Sequence, residues 1–412
     1  MASEVIRARN AVAVVFALNG VAMSTWLSRI PHVRDQLGLT PGELGRMLLV
    51  GAFGAIVAMP TAGLLVNRIG GRRAVAGGAL LMALGAALVG LGTGPAASVV
   101  VVSVGLFTIG YGAGTVDVSM NVEGAAVERR LGRAIMPRLH AGFSLGTVVG
   151  AGFGALAAAT HLPVSVHLGA LAILTVAVAL PACRRFLPVV AAPVGRGGSR
   201  PALTSLRAAW REPRTLLVGL MVLGWAFSEG TANEWLAVGL VDGFQVSNAV
   251  GAIGYAVFVT AMTVGRIWGT LAIDRFGRVP VLRTSAALTV AGVLLVVFGG
   301  SMPIALAGAV VWGAGAALGF PVGMSAAADD PVRAAVRVSV VSSIGYAAFL
   351  AGPPLLGWLG DHLGVQRALL VVVGAAAVSA LVAGVTREPP RAPAPDPPPG
   401  RAAADRVAAG VC

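Results

Sequence analysis

Apolar residues along this chain gather into runs of about twenty, broken by short segments where arginine, glycine, proline and serine collect. Twelve runs stand out, near residues 10–30, 43–66, 74–93, 97–121, 139–160, 164–183, 215–240, 249–272, 280–300, 303–327, 338–359 and 367–385. About 20 apolar residues is the length an α-helix needs to cross the hydrocarbon core of a bilayer. The pattern therefore predicts an all-α membrane protein with twelve transmembrane helices. The first run lacks a small-residue cleavage site leading into a soluble domain, so it reads as a retained helix rather than a signal peptide.

Alternate connections between the runs differ in charge. One set carries Arg68, Arg72 and Arg73, then Arg129, Arg130, Arg133 and Arg138, then Arg275, Arg278 and Arg283, then Arg333 and Arg337. The other set includes segment 92–98, the turn at His161-Leu162-Pro163 and the turn near Ser301-Met302-Pro303, and carries no arginine. Positive charge is retained on the cytoplasmic side, so the basic connections and both termini are expected in the cytoplasm, with the chain spanning a bacterial cytoplasmic (inner) membrane. Residues 184–214, rich in Arg, Pro, Gly and Ser, read as a cytoplasmic linker between an N-terminal six-helix half (1–183) and a C-terminal one (215–386). Residues 387–412 form a proline-rich tail expected to be disordered.

Composition narrows the function. The chain has 412 residues, 57% hydrophobic and 11% charged, with a mean hydropathy of +0.85; soluble domains carry roughly 25% charged residues. The net charge of +13 is placed in short loops beside the apolar runs, which argues for membrane topology and against nucleic acid. The sequence contains no lysine, so the Gly-Lys-Ser/Thr of a P-loop is absent and any transport must run on gradients or a separate subunit. Cys183 and Cys412 are too few for a disulfide framework. A His-Glu-x-x-His zinc-protease motif is missing. Asp329-Asp330 beside Pro331 reads as a solvated loop pairing with Arg333 or Arg337 rather than as a metal site. No enzyme activity, metal or cofactor is expected.

Polar residues inside apolar runs cost roughly 2.5–3.5 kcal/mol each when ionisable, so they raise a functional question. Asp117 and Asn121 lie four apart on one helical face. His140, Ser144 and Thr147 follow the same spacing, as do Trp225, Glu229 and Asn233. Asn19, Trp26, Tyr255, Arg266, Ser342 and Tyr346 complete the set. A buried carboxylate escapes desolvation by taking a proton, which makes Asp117 and Glu229 proton-coupling candidates. Asn19, Trp26, Asn121, His140, Ser144, Trp225, Asn233, Tyr255 and Tyr346 are substrate-binding candidates. Plainer roles stand beside these: an ion pair between Glu229 and Arg266, helix–helix hydrogen bonds for the amides, bundle packing for the aromatics, and a place at the cytoplasmic mouth for His140.

The chain also repeats itself. Gly63 to Arg73 reads GLLVNRIGGRR, and Gly265 to Arg278 reads GRIWGTLAIDRFGR. Asn67-Arg68-x-Gly70 and Asp274-Arg275-x-Gly277 are 207 residues apart, about half the chain, as in a duplicated membrane bundle. A third such stretch, Gly357-x-x-x-Asp361-x-x-Gly364, falls on the opposite side and is set aside as a decoy.

The first two stretches resemble the signature between helices 2 and 3 of the major facilitator superfamily, repeated between helices 8 and 9. Asn67 departs from the usual acid. The resemblance implies the major facilitator fold, twelve transmembrane helices in two pseudo-symmetric six-helix bundles, and monomers as the family expectation. It implies a cytoplasmic gate built from Gly63, Asn67, Arg68, Gly70, Arg72 and Arg73 with Asp274, Arg275, Gly277 and Arg278. Ile30-Pro31-His32, Asp117-x-x-x-Asn121 and Arg138-Leu139-x-Ala141-x-Phe143-Ser144-x-Gly146 resemble the fucose-permease-like branch, which implies proton coupling through Asp117; Leu27 stands where that branch has an acid. The expectation is a proton-coupled secondary transporter of a small organic solute working by alternating access. Its partners would be that solute, protons and the lipid bilayer. A drug or metabolite efflux antiporter and a transport-inactive membrane sensor are the alternatives.

Overall fold

The computed structural model describes residues 2–94, 97–132, 135–187, 207–330 and 333–387. Most of the expected linker and nearly all of the proline-rich tail therefore lie outside the described residues. Hydrocarbon offers no hydrogen-bond partner, so a spanning chain must satisfy its backbone within helices. Among the described residues there are twelve helices long and apolar enough to cross a membrane. In chain order they are α1 (Ser3–Leu37), α2 (Pro41–Ile69), α3 (Gly71–Gly92), α4 (Val99–Leu131), α5 (Met136–Ala159) and α6 (Val164–Arg184), then α7 (Pro213–Phe244), α8 (Asn248–Phe276), α9 (Arg278–Phe298), α10 (Met302–Ala327), α11 (Val336–Leu363) and α12 (Val365–Thr386).

Most helices run past the ends of the apolar runs that predicted them. α4 continues ten residues beyond Asn121, so Arg129 and Arg130 sit on its last turn rather than in a loop. Outside hydrocarbon a charged helical residue costs little, and Glu128 here gains a role: its carboxylate accepts from the Ile135 and Met136 amides at 2.7 and 2.8 Å, satisfying the free N–H groups that open α5. α1 is interrupted at Ser28-Arg29, where Pro31 follows and no helical donor is available. α7 contains one π-helical turn, Ala232–Leu236, a distortion that concentrates at functional sites.

One end, which we call the basic end, carries the described arginine-rich connections and the two ends of the described chain, at Ala2 and Arg387. The other end has short turns. Gly70, Gly277 and Gly364 each end a helix with φ of 83°, 80° and 82°, a conformation that favours glycine. The first two are at the basic end and the third is at the short-turn end. The third stretch is thus a backbone copy of the other two, inverted across the membrane, as nested inverted repeats produce.

The two halves meet most closely at the short-turn end. A Cβ on Gly45 of α2 would run into the Pro353 carbonyl and Gly357 Cα of α11, so glycine is what lets these backbones touch. Nearby, Ala155 and Ala158 of α5 pack against Ala252 of α8. Gly45→Val is expected to lower the melting temperature in detergent, since overpacking costs about 1–3 kcal/mol. Gly169→Val, with nothing within 4 Å of the added Cβ, should leave it unchanged.

Candidate functional site

Polar side chains from both halves face one another in the middle of the bundle. From α4, Asp117 is half-buried and Asn121 donates to its backbone oxygen at 2.8 Å. The charge of Asp117 reaches Tyr346 on α11, in the other half. Among the described residues no cation pairs with Asp117. Glu229 on α7 is held differently: Arg266 of α8 donates from Nη2 to both carboxylate oxygens, at 2.9 and 2.8 Å. This is the ion pair that stood as the plainer role for Glu229. Arg266 also donates to the Ala317 carbonyl at 3.3 Å, and its charge reaches His140 on α5. His140 is exposed and stands edge-on to Phe16, 5.2 Å between ring centroids.

Other candidates are placed closer to packing than to an opening. Trp26 and Trp225 are buried in the core, and Trp225 lies over Gly319, where a Cβ would collide with the indole. Asn19 is buried with its Oδ1 unpartnered. Asn233 is half-buried on the π turn of α7. Tyr255 accepts a hydrogen bond from Ser24 at 3.1 Å across the two halves. The Ser144 carbonyl accepts from Thr263 at 3.5 Å, again across the halves.

The short-turn end carries a polar latch that sequence reasoning did not find. Arg34, at the end of α1, donates to Asp242 of α7 at 2.6 Å and to Asp35 at 2.8 Å. Asp35 accepts from Asn248 of α8 at 2.9 Å. Asp361 of α11, in the stretch set aside as a decoy, accepts from the Gly42 amide at 3.0 Å and so caps the first turn of α2. The Arg34–Asp242, Asp35–Asn248 and Asp361–Gly42 bonds each join one half to the other across more than two hundred residues, so no local pattern could signal them. The described hydrogen bonds between halves lie at this end or in the middle.

At the basic end the described pairs stay within the second half. Of the Asp329-Asp330 pair, Asp330 meets the expected Arg333 and Arg337, at 3.9 and 3.4 Å, while Asp329 is shared by Arg278 and Arg214, both at 2.8 Å. Arg337 pairs with Glu212 and, at 3.4 Å, with Asp330. Asn67, Arg68, Arg72, Arg73, Asp274 and Arg275 are exposed, and Gly63 has open space around it. The signature stretches thus form no described bridge between halves in this conformation.

The Major Facilitator Superfamily description matches residues 12–271 and 230–409. The chain belongs to the major facilitator superfamily. It is 31% identical to the "Uncharacterized transporter y4wD" of Sinorhizobium fredii, over 92% of this chain and 97% of that protein. It is 33% identical to "Membrane protein MosC" of Rhizobium meliloti, over 90% and 88%. Among solved structures it resembles the nucleoside transporter NupG, with a TM-score of 0.72 and 14% identity over 92% of this chain and 98% of that one. It also resembles the E. coli fucose:proton symporter FucP, with a TM-score of 0.62 and 18% identity over 92% and 98%. The last two likenesses concern the fold. The chain is a multi-pass integral membrane protein and a transporter of this superfamily.

The hydrogen bonds from Arg337 hold the Glu212 carboxyl below its ordinary value. A depressed pKa contributes stability that is complete above the unfolded value and is lost as pH falls through the folded one. Melting in detergent should therefore lose stability below about pH 4.5, and Glu212→Gln should flatten that acid limb.

Proposed function

We propose that this protein moves a small polar organic solute across a bacterial cytoplasmic membrane, coupled to protons, by alternating access between its two halves. The observation that carries the reading is that two acids at membrane depth, one in each half, are held in different states. Asp117 has no cationic partner among the described residues and stands opposite the other half, whereas Glu229 is clamped by Arg266. A carboxylate without a counter-ion at membrane depth gains most from taking a proton. Its charge change is then felt across the interface that must rearrange. Similarity to a fucose:proton symporter supports coupling to protons.

The basic end is the cytoplasmic one on this reading, by the positive-inside rule, so the latch at the short-turn end closes the outer side and the conformation opens inward. Reversal would break the Arg34, Asp35 and Asp361 bonds and let the signature stretches approach. The linker joining the halves and the cytoplasmic placement of both termini belong to the same proposal. A polar solute suits the site better than an aromatic drug, because Trp26 and Trp225 are spent on packing and amides, acids and hydroxyls remain. At a membrane potential of 100 mV one carried charge is worth about 2.3 kcal/mol, enough for about fifty-fold accumulation.

Liposomes reporting internal pH, challenged with sugars, nucleosides and other polar solutes, test the reading. One solute should trigger proton movement in the wild type, and Asp117→Asn should abolish it; equal proton movement in Asp117→Asn would refute Asp117 as the carrier. Glu229→Gln should impair transport by releasing Arg266. The latch has its own test. With Cys183 and Cys412 replaced by serine, a Ser24→Cys reporter should be labelled by a membrane-impermeant maleimide from outside several-fold faster when Asp242→Asn and Asp361→Asn are combined. Unchanged labelling would mean that these bonds do not hold the outer side shut.

A further inference from the structure

Away from the central site, the first half holds a buried cationic group. Arg29, at the break in α1, is fully buried. Its Nη2 donates to the Leu162 carbonyl at 2.7 Å, while Nε and Nη1 have no partner. Among the described residues no carboxylate pairs with it. Its charge reaches His32 and His167, and His167 is 8% exposed with Nδ1 unpartnered. Burying an unpaired charge is expensive unless a counter-ion arrives.

A cleft opens beside His167 and Leu162, with Arg29 behind Leu162 and not itself on the cleft wall. α5 and α6 each pack on α1 and leave between them a cavity of about 490 Å³, within the range of small-molecule sites. His167, Thr160 and the Leu162 that anchors Arg29 are among its lining residues, with Thr25 on α1; Phe153, Leu156, Leu171 and Leu174 give it an apolar wall. Phe153, Leu156 and Leu174 are exposed on the outside of the bundle, where the bilayer lies. His167 is on the first turn of α6, at headgroup level, and the wall from His167 to Leu174 descends about 10 Å toward the membrane centre.

We infer that this cleft is a phospholipid site. One acyl chain of a lipid in the leaflet at the short-turn end lies along the α5–α6 cleft, and its phosphate is taken by Arg29 and His167. The charge complementarity is specific: guanidinium N–H groups suit phosphate oxygens, and the described residues give the two free nitrogens of Arg29 and Nδ1 of His167 no partner. The inference is independent of the transported solute and of the direction of transport.

Native mass spectrometry of the full, delipidated chain with added phosphatidylglycerol, chain-matched diacylglycerol or free fatty acid decides the matter. Phosphatidylglycerol should remain bound under activation that strips the other two. Arg29→Gln should lower its retention about tenfold or more, the loss of one charge-assisted hydrogen bond. Leu174→Trp, which fills the cleft from its lipid-facing wall, should do the same and serves if Arg29→Gln fails to fold. Equal retention of phosphatidylglycerol and diacylglycerol, preference for the fatty acid, or wild-type retention in Leu174→Trp would overturn the inference.

Discussion

Hydrocarbon supplies no hydrogen bonds, and that constraint shapes every level of this protein. It makes each crossing segment a helix, and it favours a partner for the polar side chains inside the bundle. Glu229 answers with Arg266, Asp117 with Asn121 and a position facing Tyr346. Glycine and alanine answer by letting backbones approach, as at Gly45 against Pro353 and Ala155 against Ala252.

The same constraint separates the ends of the bundle by task. At the basic end Arg278, Arg214 and Asp329 tie α7, α9 and the segment after α10 within one half, leaving the signature stretches at Asn67 and Asp274 exposed. At the short-turn end Arg34, Asp35, Asp242, Asn248 and Asp361 tie one half to the other. Asp361 and Gly364 recast the signature turn at the opposite face, so one local motif serves both ends through the inverted repeat.

Much of the fold was legible because apolar run length and loop charge are local properties. The twelve runs lie within the twelve helices to within a few residues, and the errors concentrate where helices continue beyond hydrocarbon, as α4 does to Leu131. Half of the candidate site was legible for the same reason: spacing of four put Asp117 beside Asn121, and depth marked Glu229. Spacing is silent on which aromatic is spent on packing. Trp225 was marked by its stripe with Glu229, yet it is Gly319, ninety-four residues on, that receives it.

By itself the sequence determined helix number, the sidedness of charge, the internal repeat and the lack of a P-loop motif, since each follows from residue type and short-range order. Tertiary structure alone decided which acid finds a cation among the described residues, that a stretch set aside as a decoy ties one half to the other, and that Arg29 is buried with no carboxylate beside it among those residues. Those facts depend on contacts such as Arg34 with Asp242 and Gly42 with Asp361, made between residues hundreds of positions apart. Only packing two bundles face to face creates them, because a helix face records that it is polar but not what it will meet.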